Sequence, residues 1–96
     1  MELFIFARFH ARESQEDAVA AELRGTAAAT RLEPGCLAIA VFRSVRDPRL
    51  FWLHSRWLDE AAFETHAKLP RVAVFLERVQ QLIDHSLDVT RTYLIN

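Results

Sequence analysis

The chain predicts an α+β fold of the ferredoxin-like kind: a βαββαβ order, a four-stranded antiparallel sheet and helices on one face. Three observations predict it. Four segments are rich in Phe, Ile, Val and Leu with the two-residue alternation of strands. Two stretches between them repeat apolar residues every three or four positions, as helices do. A tight Arg46-Asp47-Pro48-Arg49 turn joins the two middle strands into an antiparallel hairpin.

Leu3 to His10 is the first strand. Leu3, Ile5, Ala7 and Phe9 share one face, and Phe4 and Phe6 lie on the other. A strand apolar on both sides reads as buried on both. Ser14-Gln15-Glu16-Asp17 has the form of a capping box and predicts a helix start, with Val19, Leu23 and Ala27 following at helical spacing. Gly25 inside this helix costs about 1 kcal/mol relative to Ala, which points to a close packing contact. Glu33-Pro34-Gly35 stops the helix. Cys36 to Ser44 is the second strand and Leu50 to Leu58 the third. Asp59 caps a short helix running to about Leu69. Pro70 opens the next, where its missing N–H costs nothing. Val72, Phe75, Leu76, Val79, Leu82 and Ile83 form its apolar stripe, and Ser86 to Ile95 is the last strand. Helices can cover one sheet face only. The apolar residues of the other face call for a partner, and a second copy of the sheet gives a two-fold homodimer.

The 96 residues make one domain, residues 1–96. Twelve basic residues against thirteen acidic ones, with no basic run, lack the electrostatic footprint of a nucleic-acid binder. No apolar run approaches the roughly 18 residues of a membrane helix, so no membrane partner is expected. Glu2, Arg8 and Arg12 come too early for a signal-peptide core. Cys36 is the only cysteine, which rules out an intrachain disulfide and fits a reducing compartment. The expectation is a cytoplasmic protein.

The segment from Phe51 to His66 carries the chemistry. Phe51, Leu53, Ser55 and Trp57 share one strand face. Phe63 and His66 share one face of the helix that follows. An indole and an imidazole on adjacent rigid elements suit an apolar pocket with one proton-handling group. They equally suit a packed core, and periodicity alone leaves both readings open. Histidine is the side chain suited to taking up and releasing a proton near neutrality, and His66 is the candidate proton relay. His10, His54 and His85 are weaker candidates. No metal site is expected, since His-x-x-x-His and Cys-x-x-Cys spacings are absent. No cofactor is expected either: two glycines cannot make a phosphate-binding loop.

Ala7-Arg-Phe-His-Ala-Arg12, Glu33-Pro-Gly-Cys36, Phe42-Arg-Ser44 before Asp47-Pro48, Trp57-x-Asp-Glu-Ala-Ala62, His66, and Pro70 with Phe75 run through most of the chain. Together they resemble the antibiotic biosynthesis monooxygenase domains, dimeric α+β barrels that include quinol and anthrone oxygenases working without a cofactor. The resemblance implies a monooxygenase that turns O2 on a small aromatic or quinol substrate. It also implies a homodimer joined through the sheet face. Trp57 and His66 would be the catalytic residues, and Phe51, Ser55 and Phe63 would shape the substrate pocket. Many members carry a glutamate two residues before the tryptophan; here that position is Ser55, so that carboxylate's role does not transfer. A haem-degrading branch uses an asparagine and a histidine that align near Ala7 and Leu76, so haem ring opening is disfavoured. Two rival readings use the same scaffold. One is a dimeric small-molecule binding module without turnover. The other is a cofactor-free isomerase or signal-degrading enzyme, whose turnover would continue without oxygen.

Overall fold

Alternation in the first strand decides the architecture. In the computed structural model, which describes residues 1–96, Leu3, Ile5, Ala7 and Phe9 are buried while Phe6 and Arg8 on the opposite side are exposed. The elements run β1 (Leu3–His10), α1 (Glu16–Thr30), β2 (Cys36–Arg43), β3 (Leu50–Trp57), α2 (Glu60–Ala67), α3 (Pro70–Gln80) and β4 (Asp88–Thr92). The sheet has the order β2-β3-β1-β4, and every neighbouring pair is antiparallel. This is the ferredoxin-like arrangement predicted above, with the second helical region split at Pro70.

The register sorts side chains between two faces. Ile5 lies opposite Ser55, Ala7 opposite Leu53 and Phe9 opposite Phe51. These point toward the helices. Phe9, Phe51, Val19, Leu23, Phe75, Val79 and Ile83 form the main core at one end of the sheet. Leu3, Ile5 and Trp57 form a second, smaller core at the other end, with Ala62 and Phe63 packed on it. On the outward face Phe6, Phe42 and Trp52 remain exposed. His54 packs edge-on against Phe6 there, on the side away from Trp57.

Three local expectations need correction. Ser14 does not cap α1. It takes a positive φ of 71° as the third residue of a turn closed by the Gln15 N–H on the Arg12 carbonyl at 3.0 Å. The turn uses Ser14's backbone, and α1 starts at Glu16 with no side-chain cap. Gly25 marks no close contact, since an added Cβ would meet nothing within 4 Å. The close approach is at Gly35, where a Cβ would lie 2.5 Å from the Ala62 Cβ. Finally, β4 ends at Thr92 rather than Ile95. Thr92 pairs with Phe4, and β1 itself begins at Leu3, so only one β1 residue is left beyond that pair.

Away from the second core, His10 ties three segments together. Its Nδ1 meets Asp84 at 2.6 Å and its Nε2 meets Asp47 at 3.0 Å. The Asp84 bond, against some desolvation, raises the imidazole's pKa. Bonds from His10 and His85 pull the Asp84 carboxyl down to about 2.

Candidate functional site

The site is built where β3 passes directly into α2. Trp57 is the last residue of β3, only 1% exposed. Asp59 follows in an extended conformation, and its carboxylate accepts the Ala62 N–H at 2.8 Å. That bond satisfies one of the orphan donors at the helix start and fixes where α2 departs. The Glu33-Pro34-Gly35 turn lies against this junction. The Leu58 N–H donates to the Gly35 carbonyl at 3.0 Å, and Gly35 sits directly against Ala62. Only a residue without Cβ allows that approach. The turn thereby presents Glu33 to the helices above.

Glu33 is the residue that organises the polar edge. The His66 Nδ1–H donates to its Oε2 at 2.8 Å, and the Arg71 guanidinium donates to the same oxygen. Arg71 also donates to the Thr30 hydroxyl at 3.2 Å, and Thr30 is buried. A carboxylate can only accept, so Nδ1 carries a hydrogen and the neutral ring keeps Nε2 as its free acceptor. Both partners are largely enclosed, with side-chain exposures of 13% for His66 and 17% for Glu33.

The aromatic residues surround that imidazole. The Trp57 ring centroid lies 4.8 Å from His66 and 5.6 Å from Phe63. The indole N–H donates to the Ser55 hydroxyl at 2.9 Å. This locks the indole, and the Ser55 O–H hydrogen stays available to a ligand. Arg91 from β4 lies 5.0 Å over the Phe63 ring and pairs with Glu60 and Glu64 of α2. That pairing holds α2 against the sheet and lowers the Glu64 pKa.

Between the two cores lies a cavity of about 250 Å³. Seventeen residues line it and thirteen of them are hydrophobic. Ile5, Ala7 and Leu53 form the sheet wall, Val72, Phe75 and Leu76 the α3 wall, and Trp57, Phe63 and His66 one end. Ser55 and Thr30 are among its few polar contributors. An apolar cavity with a few convergent polar groups is the usual form of a small-molecule site, and this one is near the small end of the ~300–1,000 Å³ range.

The structure brings Trp57, His66, Ser55 and Phe63 together on this cavity. It does not bring Phe51 there: that ring is in the main core, with the Arg43 guanidinium 5.1 Å over its face. Glu33 was not anticipated as a site residue. Its signals were its place before Pro34-Gly35, which reads locally as a helix stop, and the presence of Glu33-Pro-Gly-Cys36 among the motifs of the resemblance. Cys36 lies beside the junction, but burial pushes its thiol pKa up, so it is a poor nucleophile.

The sequence profile described as antibiotic biosynthesis monooxygenase matches residues 3–78. The chain belongs to that family. Among solved structures this family member is similar to Rv0793 from Mycobacterium tuberculosis, at 23% identity and a TM-score of 0.93, covering 100% of this chain and 97% of that one. A structure described as an antibiotic biosynthesis monooxygenase superposes with a TM-score of 0.90 at 23% identity, covering 98% and 99% of the two chains. PA3566 from Pseudomonas aeruginosa is 26% identical with a TM-score of 0.89, covering 99% and 95%. No curated protein matches the sequence. The family therefore rests on the profile, and the superpositions establish the shared fold.

Proposed function

We propose that this family member is a cofactor-independent monooxygenase acting on a small quinol, phenol or anthrone. The observation that carries the proposal is an imidazole anchored by a carboxylate at the end of an apolar, aromatic-walled cavity. His66 Nε2 takes a proton from the phenolic O–H or the activated ring C–H, in the role of general base. Glu33 holds the ring and stabilises the imidazolium that forms. The electron-rich anion passes one electron to O2, and the substrate radical and superoxide combine into a peroxide. His66 returns its proton to the distal oxygen; the ring carbon that bears the peroxide then gives up its remaining hydrogen as a proton while the O–O bond breaks, the departing hydroxide takes up that proton as water, and a carbonyl remains on the ring. All electrons come from the substrate, so the chemistry balances without a further reductant. The apolar walls exclude water and strengthen the electrostatic support given to the anion.

We further propose that Phe6, Phe42 and Trp52 cover one another in a homodimer across the outward sheet face. Sedimentation checks this: Trp52→Glu is expected to shift a dimeric wild type to monomer, and a wild type that is monomeric at micromolar concentration contradicts it. One observation favours the binding-module reading, since Ser55 stands where many relatives have a carboxylate and is engaged by Trp57. Oxygen uptake separates the two. Chelator-treated protein is expected to consume O2 with quinols or anthrones above the spontaneous rate, and His66→Ala to lose at least ~10²-fold, the usual scale of general-base catalysis. Saturable binding with no uptake would establish the module instead.

A further inference from the structure

At the end of the sheet far from Trp57, the His10 Nδ1 and the His85 Nδ1 converge on one oxygen of Asp84, at 2.6 Å and 2.7 Å. We propose that His10, Asp84 and His85 form a binding site for a divalent transition-metal ion such as Zn2+.

The donor set is two imidazole nitrogens and a carboxylate oxygen, which suits first-row metals of the zinc, nickel and iron type rather than calcium or magnesium. The three ligand atoms all lie within 4.8 Å of one another. Ligands of a tetrahedral zinc ion, at ~2.0–2.1 Å from it, sit roughly 3.3 Å apart. Each imidazole nitrogen therefore needs to draw back from the Asp84 oxygen by only roughly 0.7 Å to admit the ion. Two of them have the freedom to do so, since the side chains of Asp84 and His85 are 27% and 62% exposed.

The backbone beneath the site is already fixed. The Asp84 N–H donates to the His10 carbonyl at 3.0 Å, and the Arg12 N–H to the Leu82 carbonyl at 2.8 Å. Ala11 and Ile83 form an isolated β-bridge between them. His10 and Asp84 are thus held by main-chain pairing rather than by a mobile loop.

A second feature points to a ligand. The other ring nitrogen of His10, Nε2, faces the Asp47 carboxylate at 3.0 Å. A histidine that ligates through one nitrogen and donates from the other to a carboxylate is the recurring outer-shell arrangement of metal sites, fixing tautomer and ring orientation. Asp47 is itself held, since one of its oxygens accepts the Arg49 N–H at 3.0 Å. The Arg49 guanidinium lies 3.8 Å from the second Asp84 oxygen, so it balances one of the two carboxylates. One negative charge is left beside two imidazoles.

Asp84 and His85 also line a surface depression whose walls include Leu76 and Leu87, residues shared with the apolar cavity. A metal at this place would sit behind that wall. It would reinforce the junction of β1, the β2–β3 turn and the segment after α3.

The test is calorimetric titration of the chelator-washed protein with Zn2+ alone near pH 8, since protons compete with a metal for the imidazole nitrogens. The expected result is one equivalent bound per chain, unchanged in Cys36→Ser. Affinity should fall at least tenfold in His85→Ala, whose exposed side chain supports no core, and by 10–100-fold in Asp47→Asn, the usual cost of losing such an outer partner. Replacing zinc with Co2+ should give a visible ligand-field band that His85→Ala abolishes. No stoichiometric binding to the wild type, or binding that His85→Ala leaves unchanged, overturns the proposal.

Discussion

The two ends of the inward sheet face are made from the same strands and do different things. At the Phe51 end, Val19, Leu23, Val79 and Phe9 join that ring in one core, and Phe51 stays outside the lining of the cavity. At the Trp57 end, three buried residues pack with Phe63 and Ala62, and a cavity opens beside them. Which helix covers each end explains the difference. The Phe51 end is covered by α1 and α3, which pack directly on each other. The Trp57 end is covered by α2, which buries no residue fully and is held by polar ties: Asp59 at its start, Arg91 to Glu60 and Glu64, and His66 to Glu33. Apolar packing builds stability at one end, while at the other directional bonds keep a space open and aim side chains into it.

That contrast can be broken by truncation. Phe51→Ala should cost ~3–5 kcal/mol of unfolding free energy, the usual cost of a large aromatic in a filled core. Trp57→Ala removes a larger side chain yet should cost less, because the cavity already denies the indole some neighbours. Denaturant unfolding of both variants decides, and a larger loss for Trp57→Ala would contradict the account. Enlargement reverses the comparison. Val19→Phe should cost ~1–3 kcal/mol by overpacking, whereas Ile39→Phe fills the cavity at smaller cost and abolishes ligand binding.

The two glycines sharpen the contrast at smaller scale. Gly25→Ala in α1 meets open space and should stabilise by up to ~1 kcal/mol, read as a raised melting temperature. Gly35→Ala should destabilise and lower activity, because it pushes Ala62 and the start of α2 away from the turn. The smallest effect is electrostatic. The Glu64 pKa is lowered in the folded state by Arg91. Its contribution is therefore present above the ordinary glutamate value of 4.5 and is lost as pH falls through the lowered folded value. Glu64→Gln should flatten that acid limb of the stability curve and lower stability near neutrality only slightly, because solvent screens an exposed pair.

Much of the fold was legible because it depends on local pattern. Alternation in β1, the Asp47-Pro48 turn and the stripe through Val72, Phe75 and Val79 each place an element without long-range information. Trp57 and His66 were legible because a strand running straight into a helix fixes their relation. Glu33 was not, since its meaning comes from a helix 33 positions away and its local role as a helix stop is also real. Phe51 was placed at the pocket by face alone, but position along a strand decides between core and cavity. Gly25 and Gly35 were confused for the same reason: sequence shows where a glycine costs helix stability, not what approaches it. His10 and Asp84 lie 74 positions apart, so no ligand-spacing rule could pair them.

The central claim is that the open end of the sheet takes a proton from its substrate before oxygen reacts. Mixing the protein with an anthrone in the absence of O2 isolates that step, since the anthrone anion absorbs at longer wavelength than its neutral form. The account predicts the anion's absorbance with the wild type, much less with Glu33→Gln and none above buffer with His66→Ala. Equal anion formation by the wild type and His66→Ala would contradict it.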